Sequence, residues 1–109
     1  APPTGLVVVN DTMAAELVPR LQAAGVAVPG RVSVVSFNDD AHARTCRPPL
    51  TTLAIDRAAL GRRGGDVLCA RLAEPDAAPF TERLAMHLVE RASVAAPAAA
   101  PARGRRTRS

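Results

Sequence analysis

The sequence has no tryptophan, no tyrosine and no lysine, and only two phenylalanines among its 109 residues. Aromatic rings bury more area than other side chains, so their scarcity leaves alanine, valine and leucine to build the core. An apolar content of 48% is enough for one modest domain. Long apolar runs are missing too: none approaches the roughly 18 to 20 residues that span a bilayer. The opening APPTGLVVVN has neither the basic region nor the long apolar stretch of a secretory signal. No membrane association and a cytoplasmic location are therefore expected. Cysteine is sparse, and Cys46 and Cys69 stand in neither metal nor redox spacing, so reduced thiols are expected.

With lysine absent, all fourteen basic residues are arginine, and the formal net charge is +4. Arg103, Arg105, Arg106 and Arg108 fall in the last seven positions, and without them ten arginines face ten acidic residues. The body is neutral, and the basicity belongs to the tail APAAAPARGRRTRS. That tail is Ala/Pro-rich, then Arg-rich, with no apolar period. Residues 95–109 are accordingly expected to be disordered, with at most loose contact to nucleic acid or acidic surfaces. Residues 1–94 are expected to form the ordered part.

What is present is an alternation of apolar runs and helical patterns. Leu6 to Val9 reads as a buried strand. Asn10-Asp11-Thr12 offers capping residues to a helix whose apolar stripe is Met13, Leu17, Leu21 and Ala24, with Gly25 as its stop. Asp11 is the favoured cap, and Pro19 is expected to kink this helix. A link through Pro29-Gly30 leads to a second strand, Val32 to Phe37. Strand, helix and strand make a βαβ unit, whose strands run parallel. A loop from Asn38 to Pro49 precedes a third strand, Thr51 to Ile55. Asp56 then caps a helix carrying Leu60, Val67, Leu68 and Leu72 on its apolar side. Two short strand-like pieces follow, Glu82 to Met86 and Leu88 to Ala92. The fold class is α/β with a parallel sheet.

In such sheets, ligands bind beyond the carboxyl ends of the strands. Asn10-Asp11 and Asn38-Asp39-Asp40 both follow a strand directly and would present amides and carboxylates to one crevice. Those groups suit hydroxyl-rich ligands, because an amide donates and accepts while a carboxylate accepts from two hydroxyls. For Asn10 and Asn38, a local cap or turn is the competing role. Three acids without a fixed oxygen-ligand spacing do not make a metal site, and no cofactor is implied. His42 and His87 have no acid–base partner at readable spacing. The serines lie in no nucleophile pattern, and GRRGG at Gly61 to Gly65 lies within a helical pattern rather than a phosphate loop. Cys46, flanked by Arg44 and Arg47, is placed to have its thiol pKa lowered. No catalytic constellation is visible, and an enzyme is not expected.

Four stretches in fixed order carry a resemblance. NDTMA at Asn10 to Ala14, GVAVPGRVSVVSFND at Gly25 to Asp39, PPLTT at Pro48 to Thr52 and LVERAS at Leu88 to Ser93 together resemble the lactose-repressor (LacI/GalR) family of bacterial transcription regulators. The resemblance implies a type I periplasmic-binding-protein-like effector domain, of which residues 1–94 would be the C-terminal portion, an incomplete lobe. It implies a small sugar- or nucleoside-like effector touched by Asn10, Asn38, Asp39 and Ile55. It also implies a homodimer with contacts at Ala15, Val18, Arg44 and Cys46. Operator DNA would be bound only through an N-terminal helix-turn-helix that has no counterpart in this sequence. Asn38 stands where a G-Y/F-D-D pattern has aspartate, so SFND keeps the hydrogen bonds without the charge, and Ile55 stands where glutamine is frequent. Pro19 departs from the family's helix, and Gly64-Gly65 replace small alanines. The helix from Asp56 to Ala73 would pack on the lobe that these residues do not include, leaving its apolar side exposed. A transport-type sugar-binding protein of the same fold, or a truncated remnant with a non-specific basic tail, are the competing identities.

Overall fold

The computed structural model describes residues 2–99; the arginine-rich end of the tail lies outside them. The chain order is β1 (Gly5–Val7), α1 (Asp11–Ala23), β2 (Ser33–Asn38), α2 (Ala41–Thr45), β3 (Thr51–Ala54), α3 (Arg57–Ala73) and β4 (His87–Val89). The strands form one sheet in the order β1-β2-β3-β4. β1, β2 and β3 are parallel, and β4 returns antiparallel on β3. The expected βαβ unit is present, with α1 joining the neighbouring strands β1 and β2. Glu82 to Met86 forms no strand, so the two expected pieces reduce to the single short β4.

One face of the sheet carries the core. Ala14 and Val18 of α1, Val34 of β2, Ala43 of α2 and Leu50 before β3 are fully buried, with Val28, Val32 and Cys46 beside them. These are mostly small residues, as a sequence almost without aromatics requires. The buried stripe of α1 is Asp11, Ala14 and Val18, with half-buried Leu21 packed against the core. This corrects the stripe expected from Met13 and Leu17, because Met13 faces solvent. Small alanine and valine pack closer to the strand than long side chains do. Pro19 does not end the helix, which runs on to Ala23. Its ring lies on the exposed side of the helix.

The opposite face of the sheet lacks a full cover among the described residues. Val7 is 75% exposed and Val9 66%, which corrects the reading of β1 as a buried strand. Val7 is level with Val35, and two residues further along Phe37 is level with Leu53 and Leu53 with Leu88, so apolar side chains line much of this face. α3 begins as expected at Asp56, whose carboxylate accepts from the Ala59 N–H at 2.9 Å, yet none of its residues is buried.

The segment after β4 closes the core. Ser93 is fully buried between the first turns of β2 and β3. Its hydroxyl accepts from the Thr51 N–H at 2.8 Å and donates to the Val34 carbonyl, and its own carbonyl accepts from the Val34 N–H at 2.9 Å. A side chain thus supplies rungs where the two backbones have not yet met, keeping buried peptide groups paired. Ser33 holds Ala95 in both directions at 3.0 Å.

Candidate functional site

The parallel strands deliver their carboxyl ends side by side. Asn38 is in register with Ala54, one residue before Ile55. Val7 is in register with Val35, which brings the continuation of β1 through Asn10 alongside the end of β2. Asn10, Asn38 and Ile55 therefore share one rim, each half-buried.

Asn10, not Asp11, caps α1: its Oδ1 accepts from the Met13 N–H at 2.8 Å. The amide nitrogen is left to point elsewhere, and it donates to no group among the described residues. Asp11 is instead fully buried. Its Oδ1 accepts from the hydroxyls of Ser36 and Thr52, the latter at 2.8 Å, and its Oδ2 accepts from the Asp40 N–H at 2.8 Å. A buried carboxylate is tolerated only when its oxygens are paired, and three neutral donors from β2, β3 and the turn before α2 do so here. Its place in the first turn of α1 adds the favourable end of the helix dipole. This role was not legible in the sequence, because its donors lie 25, 29 and 41 residues away.

The turn that Asp11 grips has an uncommon backbone. Asn38 has φ 107° and Asp39 φ 56°, both in the left-handed range. Asparagine and aspartate enter that range more readily than other side-chain-bearing residues, and two in succession make a sharp corner. Asp39 is tied down by Arg91, whose Nη2 donates to Oδ1 at 2.6 Å, with Arg44 at a longer 3.5 Å. Arg91 is 18% exposed and also donates to the Leu50 carbonyl at 3.1 Å, so this pair is far less wet than a surface bridge. Asp40 caps α2 by accepting from the His42 N–H at 2.8 Å, with the His42 ring 3.3 Å from the same oxygen. α2 occupies part of what the sequence suggested was loop. Its five residues are too few to show a period.

Of the residues expected at a dimer contact, Val18 and Cys46 belong to the core and turn their side chains inward. Ala15 is half-buried and packs against the edge of the core, whereas Arg44 on α2 is exposed. Burial pushes the Cys46 thiol above its ordinary pKa, outweighing the lowering by the Arg47 backbone and guanidinium. This reverses the lowering expected from the neighbouring arginines, since burial disfavours the thiolate. Both cysteines are free thiols. Among the described residues, no group of three or more His, Cys, Asp or Glu is disposed to hold a metal, and no helix is long and apolar enough to cross a membrane.

The geometry is that of a binding-protein lobe: a parallel sheet with polar residues gathered at the carboxyl ends of its strands. Residues 1–94 match the model of the periplasmic binding protein-like domain. The chain is 40% identical over 91 residues to the HTH-type transcriptional regulator GalR of Lacticaseibacillus casei, a match covering 84% of this chain and 28% of that protein. It superposes on the dimeric Lac repressor with a TM-score of 0.75 at 32% identity, over 88% of this chain and 35% of that one. The transcriptional regulator CelR in complex with cellobiose gives a TM-score of 0.76 at 28% identity, over 83% of this chain and 28% of that one. The chain belongs to the LacI/GalR family of transcription regulators and supplies part of their effector domain. It spans little more than a quarter of the GalR relative's length.

Proposed function

We propose that this chain is the effector-sensing and dimerisation portion of a LacI-type regulator that responds to a small, hydroxyl-rich effector of the sugar or nucleoside class. The observation that carries the reading is the shared rim of Asn10, Asn38 and Ile55 at the carboxyl ends of three adjacent parallel strands. Amides there can donate to and accept from ligand hydroxyls, and Ile55 offers an apolar surface for a ring face. Asp39 already accepts from two guanidinium groups, so it shapes the corner more than it offers a free carboxylate. CelR, whose solved structure is a complex with cellobiose, binds a ligand of this kind. For a second copy, the exposed Arg44 on α2 and the half-buried Ala15 on α1 are the contacts, and the dimeric Lac repressor lends support. Operator DNA is then engaged by a helix-turn-helix elsewhere in the regulator. Effector binding biases that regulator between two states through its differential affinity for them.

Nuclear magnetic resonance on the isotope-labelled chain tests the reading, since it registers even millimolar binding. Titration with a panel of mono- and disaccharides and nucleosides should shift the Asn10 and Asn38 side-chain amides and the Ile55 methyls in a saturable way. Asn38→Ala should weaken that response about tenfold, as expected when a hydrogen-bonding group that faces ligand is removed. A panel that leaves those signals still, or moves only residues elsewhere, rejects the site.

A further inference from the structure

We infer that Asp11, acting with Ser36 and Thr52, is the positioning device that holds the Asn38–Asp40 corner. Asp11 has no exposed surface and, among the described residues, no ion-pair partner, and it is held by two hydroxyls and one backbone N–H. Those donors come from three different elements, so no one of them can shift without stripping a buried charge of a partner, a loss far costlier than that of a solvent-facing bond. Ser36 and Thr52 are direct neighbours in the β2–β3 register, which aims both hydroxyls at the same carboxylate oxygen. Thr52 also receives the Asp39 N–H at a long 3.4 Å. The corner is therefore gripped at Asp39 through Thr52 and at Asp40 through Asp11 itself.

Ser36 places its donor two residues before Asn38, whose left-handed backbone departs from what its neighbours in β2 adopt. The grip also fixes spacing across the rim, because Asn10 precedes Asp11 directly and Asn38 lies between Ser36 and Asp40. What the corner is held for rests on the effector reading above; that it is held in this way does not.

Amide hydrogen exchange on the chain tests the grip. Ser36→Ala removes one donor, and Thr52→Val removes the other with little change of shape. Both should speed exchange at the Asp40 amide about tenfold more than at the Val34 and Val35 amides of the sheet, the scale expected from weakening a hydrogen bond to a charged acceptor. Thr52→Ser restores the hydroxyl and should restore Asp40 protection. Leu50→Ala, which alters packing without touching the carboxylate, should speed the Asp40 and sheet amides in proportion. Asp11→Asn should loosen Asp40 further. If that variant does not fold, the two hydroxyl variants still decide. If Asp40 merely tracks the sheet amides in Ser36→Ala and Thr52→Val, or if Thr52→Ser behaves like Thr52→Val, the corner is held by packing and the inference fails. Selective loosening alongside a silent sugar and nucleoside panel would remove the effector reading and leave the grip standing.

Discussion

Two regions of this chain have similar apolar content and opposite fates. From Leu6 to Ala54, small apolar side chains from α1, α2, β2 and the approach to β3 close on one another, and Ser93 stitches the strands beneath them. From Ile55 to Met86 there is a well-capped helix of 17 residues that buries none of them. Leu68 is 59% exposed and Leu72 71%, with Phe80 exposed beyond them. Local signals explain the second region's helix: an aspartate cap, good helix formers and an Arg63–Glu82 pair that pins the returning chain at 2.8 Å. Local signals do not bury a leucine. Exposed apolar stripes are commonly covered by other protein, and among the described residues Leu68 and Leu72 stay uncovered.

The contrast is broken most directly by deleting the same side chain on each side of it. Leu50→Ala removes a fully buried leucine and should lower unfolding stability by about 2–5 kcal/mol. Leu68→Ala on α3 should change it by no more than about 0.5 kcal/mol, as surface substitutions do. Urea denaturation followed by circular dichroism compares the two. Equal losses would mean that α3 has found a packing partner in solution.

The two cysteines sharpen the same comparison, since one lies in each region. Cys69 on α3 is exposed, whereas Cys46 is buried in the core with its thiol pushed above the ordinary value. At neutral pH a disulfide reagent should modify Cys69 at least about tenfold faster than Cys46, because only the thiolate attacks. The sign of the linkage follows. Folding favours the neutral thiol of Cys46, so its contribution is fully present below the unfolded thiol's value and is lost as pH rises through the raised one. Equal labelling rates would show that the core opens as easily as α3.

How much of this was legible in the sequence divides along similar lines. The cap and length of the 57–73 helix, the βαβ unit and the end of β2 could all be read, because each is written in neighbouring residues. The buried stripe of α1 was misread because alanine and valine weigh less in an apolar pattern than Met13 and Leu17, though they fit closer against a strand. Asp11 looked like a cap because it follows Asn10 at a helix start; its actual donors are brought in only by the register of three strands. α2 was too short to show a period. Val18 and Cys46, expected at a subunit contact, were claimed by the core. That Asn10, Asn38 and Ile55 stand at the strand ends could be read, while the grip that fixes the corner between them could not.

The smallest effect concerns what pins the region after α3. Arg63 donates to both carboxylate oxygens of Glu82 at 2.8 Å, and this bond, with the attraction of the guanidinium charge, holds the Glu82 carboxyl below its ordinary pKa. A depressed carboxyl contributes stability that is present above its unfolded value and is lost as pH falls through the lowered one. The pair stands in solvent, so salt should screen it. Carbon-detected titration of Glu82 should place its midpoint below that of the Arg63→Gln variant, and about 0.5 M sodium chloride should shrink the difference. The amides of β2 should stay indifferent to both changes, because α3 is tethered to its own following loop rather than to the core. Should β2 respond, the two regions are coupled in solution more tightly than their packing implies, and the division between them would have to be redrawn.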